Sequence, residues 1–351
     1  MSLLDCIVNI PTYLKDIVEN SNRIKINLSN YLKNETVDEI VFIASGTSLN
    51  ASKVTRYFAK NNCSLNVQCF YPNEFLNYID YKNPNALYVL VSQGGSTKLV
   101  YDALQKVKKA NLKHCTITES LDSPIAKASD LAIEMGSVNE PYMYRTIGYS
   151  TTVTTCWMLE LSIAVIQNKI SEVMADKLKK ELLSAINNLA NIRELTEAWY
   201  ENNKFSLLRR SKAILAGAQC FYETANEADI KLMEMVPMFT RSFELEELIH
   251  GPQNAFDDDT LFFILSENRF DKDKAIHIAQ FLKTEIGFCA LVGDNKLDDR
   301  DLVYEFASEN FRAIEEVTPF QVIAYHMATD KGRDLKRGVN TSIQKYIKKT
   351  L

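Results

Sequence analysis

The sequence predicts an α/β protein with doubly wound parallel sheets, laid down in two halves. Three observations predict it. Short apolar runs alternate with longer stretches of helical spacing between residues 39 and 134. The same alternation restarts at residue 212, after a long helical stretch. Two apolar runs of the first half end in Ser-, Thr- and Gly-rich loops, each opening a helix.

The elements follow in order. Thr12–Lys33 has amphipathic spacing and no breaker after Pro11, so it predicts a helix. Glu39–Ala44 is a buried strand ending at Ser45-Gly46-Thr47-Ser48, and a helix follows to Asn61. Asn66–Phe70 is a short strand. Ala86–Val91 is a strongly apolar strand ending at Ser92-Gln93-Gly94-Gly95-Ser96-Thr97, with a helix to Ala110. His114–Thr118 and Leu131–Glu134 add two strands. Thr151 to Asn203 is helical almost throughout and lacks Gly and Pro, which predicts a last helix and then a bridging helix. In the second half, Lys212–Ala216 is a strand ending at Gly217, and Glu223–Met235 is a helix with Pro237 near its end. Thr260–Leu265, Phe288–Val292 and Phe311–Glu315 read as strands, and Lys272–Thr284 as a helix. Pro319–Thr329 closes the half as a helix with proline in its first turn. The domains expected are 1–170, a bridge over 171–204, 205–335, and a tail over 336–351.

Composition bounds the function. Apolar residues are 46% and charged residues 24% of the 351, an ordinary globular balance. The net charge of −5 disfavours non-specific nucleic-acid binding. Seven scattered cysteines without a C-x-x-C argue against a zinc ribbon and a disulfide scaffold. No basic start precedes an apolar segment, and no apolar run approaches the ~18 residues that span a bilayer. A reducing, cytoplasmic location without membrane association is the expectation.

Ligands of open parallel sheets bind at the carboxyl ends of strands. Ser45-Gly46-Thr47-Ser48 and Ser92 to Thr97 sit at two such ends. Hydroxyls, close-approach glycines and free helix N–H groups suit a phosphate. The plainer reading of each loop is an N-capping turn, since Ser and Thr are preferred there anyway. On the Glu223–Met235 helix, Glu227, Lys231 and Glu234 are spaced i, i+4, i+7 and share a face. A solvated ion-pair face is the plainer reading of that triplet. Among the four histidines, His250 alone lies in a loop pattern, before Gly251-Pro252. No two histidines are close in sequence, so neither a metal nor another cofactor is expected.

These motifs, with Glu247-Leu-Ile-His250-Gly251-Pro252 and the stretch from Gln321 through His326, Lys331 and Gly332 to Asp334, stand in the order and spacing of the sugar isomerase (SIS) family. The chain resembles the isomerase half of glutamine–fructose-6-phosphate amidotransferases from about residue 38 to 340. The resemblance implies two SIS domains, each a parallel five-stranded, flavodoxin-like sheet flanked by helices. It implies phosphate binding by Ser48, Ser92, Gln93 and Thr97, with Ser45, Gly46, Thr47, Thr146 and Glu227 also at the substrate. Glu234 would move a proton between C1 and C2 of an open-chain sugar, with Lys231 beside it. His250 would open the ring, arriving from the neighbouring subunit of a homodimer. In this chain Arg145 replaces a serine beside Thr146, and Gly94 stands at a third phosphate-binding serine. Ile343 stands at a tail lysine that forms an imine, with Lys345, Lys348 and Lys349 nearby. The two halves and the bridge use the length, so no glutamine-hydrolysing domain and no amidotransferase activity are expected. The resemblance points to a phosphosugar isomerase or deaminase acting on an amino-sugar phosphate. A deglycase of fructosamine 6-phosphates is the alternative enzyme, and a non-catalytic phosphosugar-binding regulator the alternative of another class.

Overall fold

A computed structural model describes residues 2–351. The helices and strands in chain order are α1 (Leu3–Glu19), α2 (Asn22–Leu32), β1 (Glu39–Ala44), α3 (Thr47–Cys63), β2 (Asn66–Phe70), α4 (Pro72–Asn77), β3 (Ala86–Val91), α5 (Lys98–Lys109), β4 (His114–Thr118), α6 (Pro124–Ala128), β5 (Ala132–Glu134) and α7 (Ile147–Ile166). There follow α8 (Glu172–Leu208), β6 (Lys212–Gly217), α9 (Cys220–Met235), β7 (Phe239–Glu244), β8 (Thr260–Ser266), α10 (Lys272–Phe281), β9 (Cys289–Gly293), β10 (Leu302–Val303) and α11 (Arg312–Asp330).

They build two parallel five-stranded sheets, ordered β2-β1-β3-β4-β5 and β10-β9-β8-β6-β7. The second is the first repeated, with β6 in the place of β1. The fold class expected from the alternation is therefore the fold observed. β1, β3 and β8 are buried along their whole length, which is why they read as unbroken apolar runs. One core packs Val41, Ile43, Tyr88 and Leu90 against Val100, Leu104 and Ile125. The other packs Ala216, Phe262, Ile264 and Leu291 against Ile278 and Leu282.

The chain divides into two compact units. The first-sheet unit is Thr12–Pro141, Arg145–Lys180 and the tail Gly338–Leu351. The second-sheet unit takes the described residues up to Pro11, Tyr142–Tyr144 and Glu181–Arg337.

Several elements differ from the sequence reading. The N-terminal helix is two helices, and α1 begins at Leu3 with Pro11 inside it. A start at Ser2 is set by the Asp5 amide donating to Ser2 Oγ, while the Ser2 amide donates to the Asp5 carboxylate. Burial of Ile7, Ile10 and Leu14 on one face offsets the hydrogen bond that proline removes. Phe311–Glu315, expected as a strand, is instead the first turn of α11. Ser308 Oγ caps it by accepting from the Phe311 amide at 2.7 Å, and Pro319 lies inside the helix rather than at its start. A five-residue apolar run does not by itself distinguish a strand from a buried helix. β7 escaped the sequence reading because it is a half-exposed edge strand whose Phe239 and Arg241 face water.

The start of α11 also carries a pH dependence. Burial pushes the Glu315 carboxyl up to about 7, although Asn188, the Ala307 amide and the Ser308 backbone bond it and Arg312 lies close by. A carboxyl raised in the fold binds its proton more tightly there than in the unfolded chain. Its contribution is full below its ordinary range near 4.5 and is lost as pH rises to about 7. The expected size is about 3 kcal/mol. Glu315→Gln is expected to flatten the fall in unfolding free energy between pH 5 and 7.5. Urea titrations at the two pH values check this, and an unchanged slope refutes it.

Candidate functional site

β1 and β3 are neighbours in register, Ala44 opposite Val91, so the loops that follow them lie side by side. From β1 the chain goes to β2 on one side, and from β3 to β4 on the other. This is the switch point at which open α/β sheets bind ligands. Gly46 caps α3 with φ +56°, a conformation that favours glycine. Thr47 and Ser48 open the helix half-buried, and Ser45 is exposed.

In the neighbouring loop, Ser92 is buried and its hydroxyl lies 3.0 Å from that of Thr97. Thr97 is the N-cap of α5. Gly95 has φ +62°, and a Cβ there would meet Ser123 Cβ at 2.2 Å. Gly94 is different: a Cβ there meets nothing within 4 Å. Gly94→Ser is therefore expected to fold normally and add a hydroxyl to the loop. On the expectation that this loop holds a sugar phosphate, one extra neutral hydrogen bond corresponds to about three- to tenfold tighter binding. Calorimetric titration checks it, and an unchanged affinity refutes it.

Gln93 is buried, and its Nε2 donates to the Glu119 carboxylate at 3.1 Å. Its backbone carbonyl accepts from the Glu119 amide and from Thr118 Oγ1. The tail crosses the same loop. Thr350 forms an antiparallel bridge with Thr97, the Lys98 amide donates to the Lys349 carbonyl, and the Leu351 amide donates to the Ser96 carbonyl. One first-turn N–H of α5 is thus satisfied by the tail. Ile343 and Lys345 lie in an exposed turn, Thr341–Lys345.

Thr146 is fully buried at the start of α7. Its amide and hydroxyl donate to Glu140, as do the Ile147 and Gly148 amides, at 2.8–3.0 Å. The sequence reading placed Thr146 at the sugar. Here its hydroxyl hydrogen is committed to Glu140, and a carboxylate satisfies the helix N-terminus. Glu140 and Glu119 were both missed from the sequence. An acid shortly before a helix start was the available signal for Glu140. Glu119 had none, because its partner lies on another strand end.

In the second-sheet unit, α9 presents Glu227, Lys231 and Glu234. They are not the solvated face that the spacing alone suggests. Glu227 and Lys231 side chains are 0% and 1% exposed, and Glu234 is 41% exposed. Lys231 Nζ lies 3.4 Å from Glu227 and 2.9 Å from Glu234. Burial opposes the lysine's charge, but the two carboxylates outweigh it and its pKa is raised. The result is an ammonium sealed beneath a carboxylate that water and a ligand can reach. His250 stands on an exposed turn after the buried anchor Leu248, with Gly251 at φ +123°. Its Nε2 lies 2.9 Å from Glu246, which also pairs with Lys274. The structure places Ser92 with Thr97 and Lys231 with both glutamates. His250 has none of the other expected site residues among its hydrogen-bond or ion-pair partners.

A cavity of about 100 Å³ under α1 and α2, lined by Asp16, Arg23, Ile133 and Glu134, contains none of these residues. Among the described residues no helix is long and apolar enough to cross a membrane.

Residues 35–164 match the SIS domain family. The chain is similar to glutamine–fructose-6-phosphate aminotransferase (isomerizing) of Haemophilus influenzae, with 26% identity over 323 residues, 87% of this chain and 51% of that one. The homology is to the isomerase domain of these enzymes. The chain spans about half the length of the curated relatives it matches. Among solved structures, a Clostridium difficile protein provisionally named a phosphosugar isomerase superposes with a TM-score of 0.91 at 24% identity, covering 99% of this chain and 98% of that one. The C-terminal domain of the Francisella tularensis aminotransferase gives 0.85 at 22%, covering 95% and 97%.

Proposed function

We propose, from the premise that residues 35–164 are an SIS domain, that this chain is an enzyme that isomerises or deaminates an amino-sugar 6-phosphate. The observation that supports it is the Glu227–Lys231–Glu234 ladder, in which a buried lysine holds an accessible carboxylate. A regulator that only binds sugar phosphate has no use for such a base.

In this reading Ser48, Ser92, Gln93 and Thr97 hold the phosphate. The phosphate is remote from the reacting carbons, so its binding energy goes into orientation. His250, brought by a second copy in a homodimer, opens the sugar ring. Glu234 takes the proton from one of C1 and C2 and returns it to the other. Transfer within one face requires a single carboxylate within about 3 Å of both carbons. Lys231 donates to the Glu234 carboxylate at 2.9 Å and so holds the base in place. The transfer leaves an imine at C1 or C2; water adds to that carbon, ammonia or an amine departs with the C–N bond, and the carbonyl of a hexose 6-phosphate remains.

The test is a substrate panel given to the purified chain: hexosamine 6-phosphates and fructosamine 6-phosphates linked to amino acids. The assays follow ammonia, amine and hexose 6-phosphate. Ammonia from a hexosamine 6-phosphate supports the proposal. Turnover of the amino-acid adducts alone assigns a deglycase instead. Binding without any turnover assigns a regulator.

A further inference from the structure

Gln93 is the side chain of the phosphate loop whose amide end is gripped from two sides. On one side its Nε2 donates to Glu119 at 3.1 Å. On the other it rests directly on Gly148 in the first turn of α7. A Cβ at Gly148 would lie 2.1 Å from Gln93 Oε1 and 2.4 Å from both Cδ and Nε2. Only the absence of a side chain at 148 allows this placement. The backbone there lies outside the left-handed region, so conformation does not ask for glycine, and space does. Alanine is the better helix former, so helix stability does not ask for glycine either.

The support of Gly148 is itself fixed. Its amide donates to Glu140 at 3.0 Å, and Glu140 also holds the Thr146 and Ile147 amides. α7 therefore cannot slide to make room. Gln93 is 8% exposed, and its backbone carbonyl is held by Thr118 and Glu119. One of the two amide hydrogens of Nε2 is committed to Glu119, which leaves the other as a donor for a ligand.

We infer that Gly148 and Glu119 are positioning residues that orient the Gln93 carboxamide toward a sugar phosphate. This rests on the reading of that loop as a phosphate site. Neither residue need touch the ligand. Gly148 sets the depth of the amide, and Glu119 sets which of its ends is turned outward. Glu119 also leaves a negative charge near a site for an anion, so the bond it accepts must be worth more to binding than its charge costs.

The experiment titrates fructose 6-phosphate and glucosamine 6-phosphate into the intact wild-type protein and into Gly148→Ala, Glu119→Ala, Glu119→Gln and Gln93→Ala. Gly148→Ala, Glu119→Ala and Gln93→Ala are each expected to weaken binding about tenfold. Glu119→Gln retains an acceptor for Nε2 and sheds the charge, so its affinity is expected to equal or exceed that of the wild type. The Gln93→Ala/Gly148→Ala double variant is expected to bind no more weakly than Gln93→Ala, because one residue acts through the other. Additive losses in the double variant, or single variants binding as the wild type does, overturn the inference and leave the phosphate site standing. Failure of the wild type to bind either sugar overturns the reading of the site and the inference with it. If Gly148→Ala does not fold, the Glu119→Ala/Gln93→Ala pair supplies the same cycle.

Discussion

Glu234→Gln is expected to reduce turnover of the sugar phosphate by about 10²- to 10⁴-fold, the usual share of a general base. The amide keeps the shape and the hydrogen bond from Lys231 but has no basic oxygen for a carbon-bound proton. Glu234 is 41% exposed, so this change creates neither a cavity nor a buried orphan, and the fold is expected to persist. Sugar-phosphate affinity is expected to stay within about threefold, because a change at the proposed base leaves the proposed phosphate loop intact. The measurement is a pair: kcat on the best substrate of the panel, and calorimetric affinity for the same sugar. Turnover that survives removes Glu234 from the chemistry. Loss of affinity with unchanged turnover makes it a binding residue instead.

Lys231→Met is expected to have the largest effect on stability, about 3–5 kcal/mol. The methionine fills much of the volume, so packing is not the main loss. The loss is electrostatic. Glu227 is 0% exposed, and its ion-pair partner is Lys231. Without the ammonium, the buried Glu227 loses the positive charge that stands 3.4 Å from it, and a buried carboxylate that loses a nearby cation favours its protonated form. A carboxyl that is protonated in the fold contributes full stability below its ordinary pKa and loses it as pH rises. The variant is therefore expected to be much closer to the wild type at pH 5 than at pH 8. Adding Glu227→Gln is expected to recover a large part of the loss at pH 8, because the buried charge is then gone. Urea unfolding of the three proteins at both pH values checks this. A loss that is independent of pH, or no recovery in the double variant, rules out the buried-charge account.

These two predictions differ because the three residues of the ladder differ in exposure, and the sequence spacing does not contain exposure. Glu227, Lys231 and Glu234 stand at i, i+4 and i+7 on one helical face, and that pattern belongs as well to a solvated surface. Their burial follows from where α9 packs, against β6, β7 and α11. Gly94 and Gly95 show the same limit. They are adjacent and identical in sequence, yet one faces open space and the other would collide with Ser123.

The sequence by itself determined the parallel architecture. Strands buried on both faces must be apolar throughout, and the helices between them must be amphipathic, so the layer order is written in local pattern. It also placed the hydroxyl-rich loops at strand ends, since the turn that follows a strand and opens a helix has its own residue preferences. Elements with weak local pattern escaped it: the half-exposed edge strand β7, the two-residue β10, and the first turn of α11. Only the tertiary structure decided that Glu140 closes the start of α7, that the tail bridges Thr97, and that Glu119 and Gly148 grip Gln93. The contacts of the tail and of Gln93 join residues from separate elements, and such contacts leave no periodic trace in the chain. Their partners are chosen by the sheet that brings β1, β3 and β4 side by side.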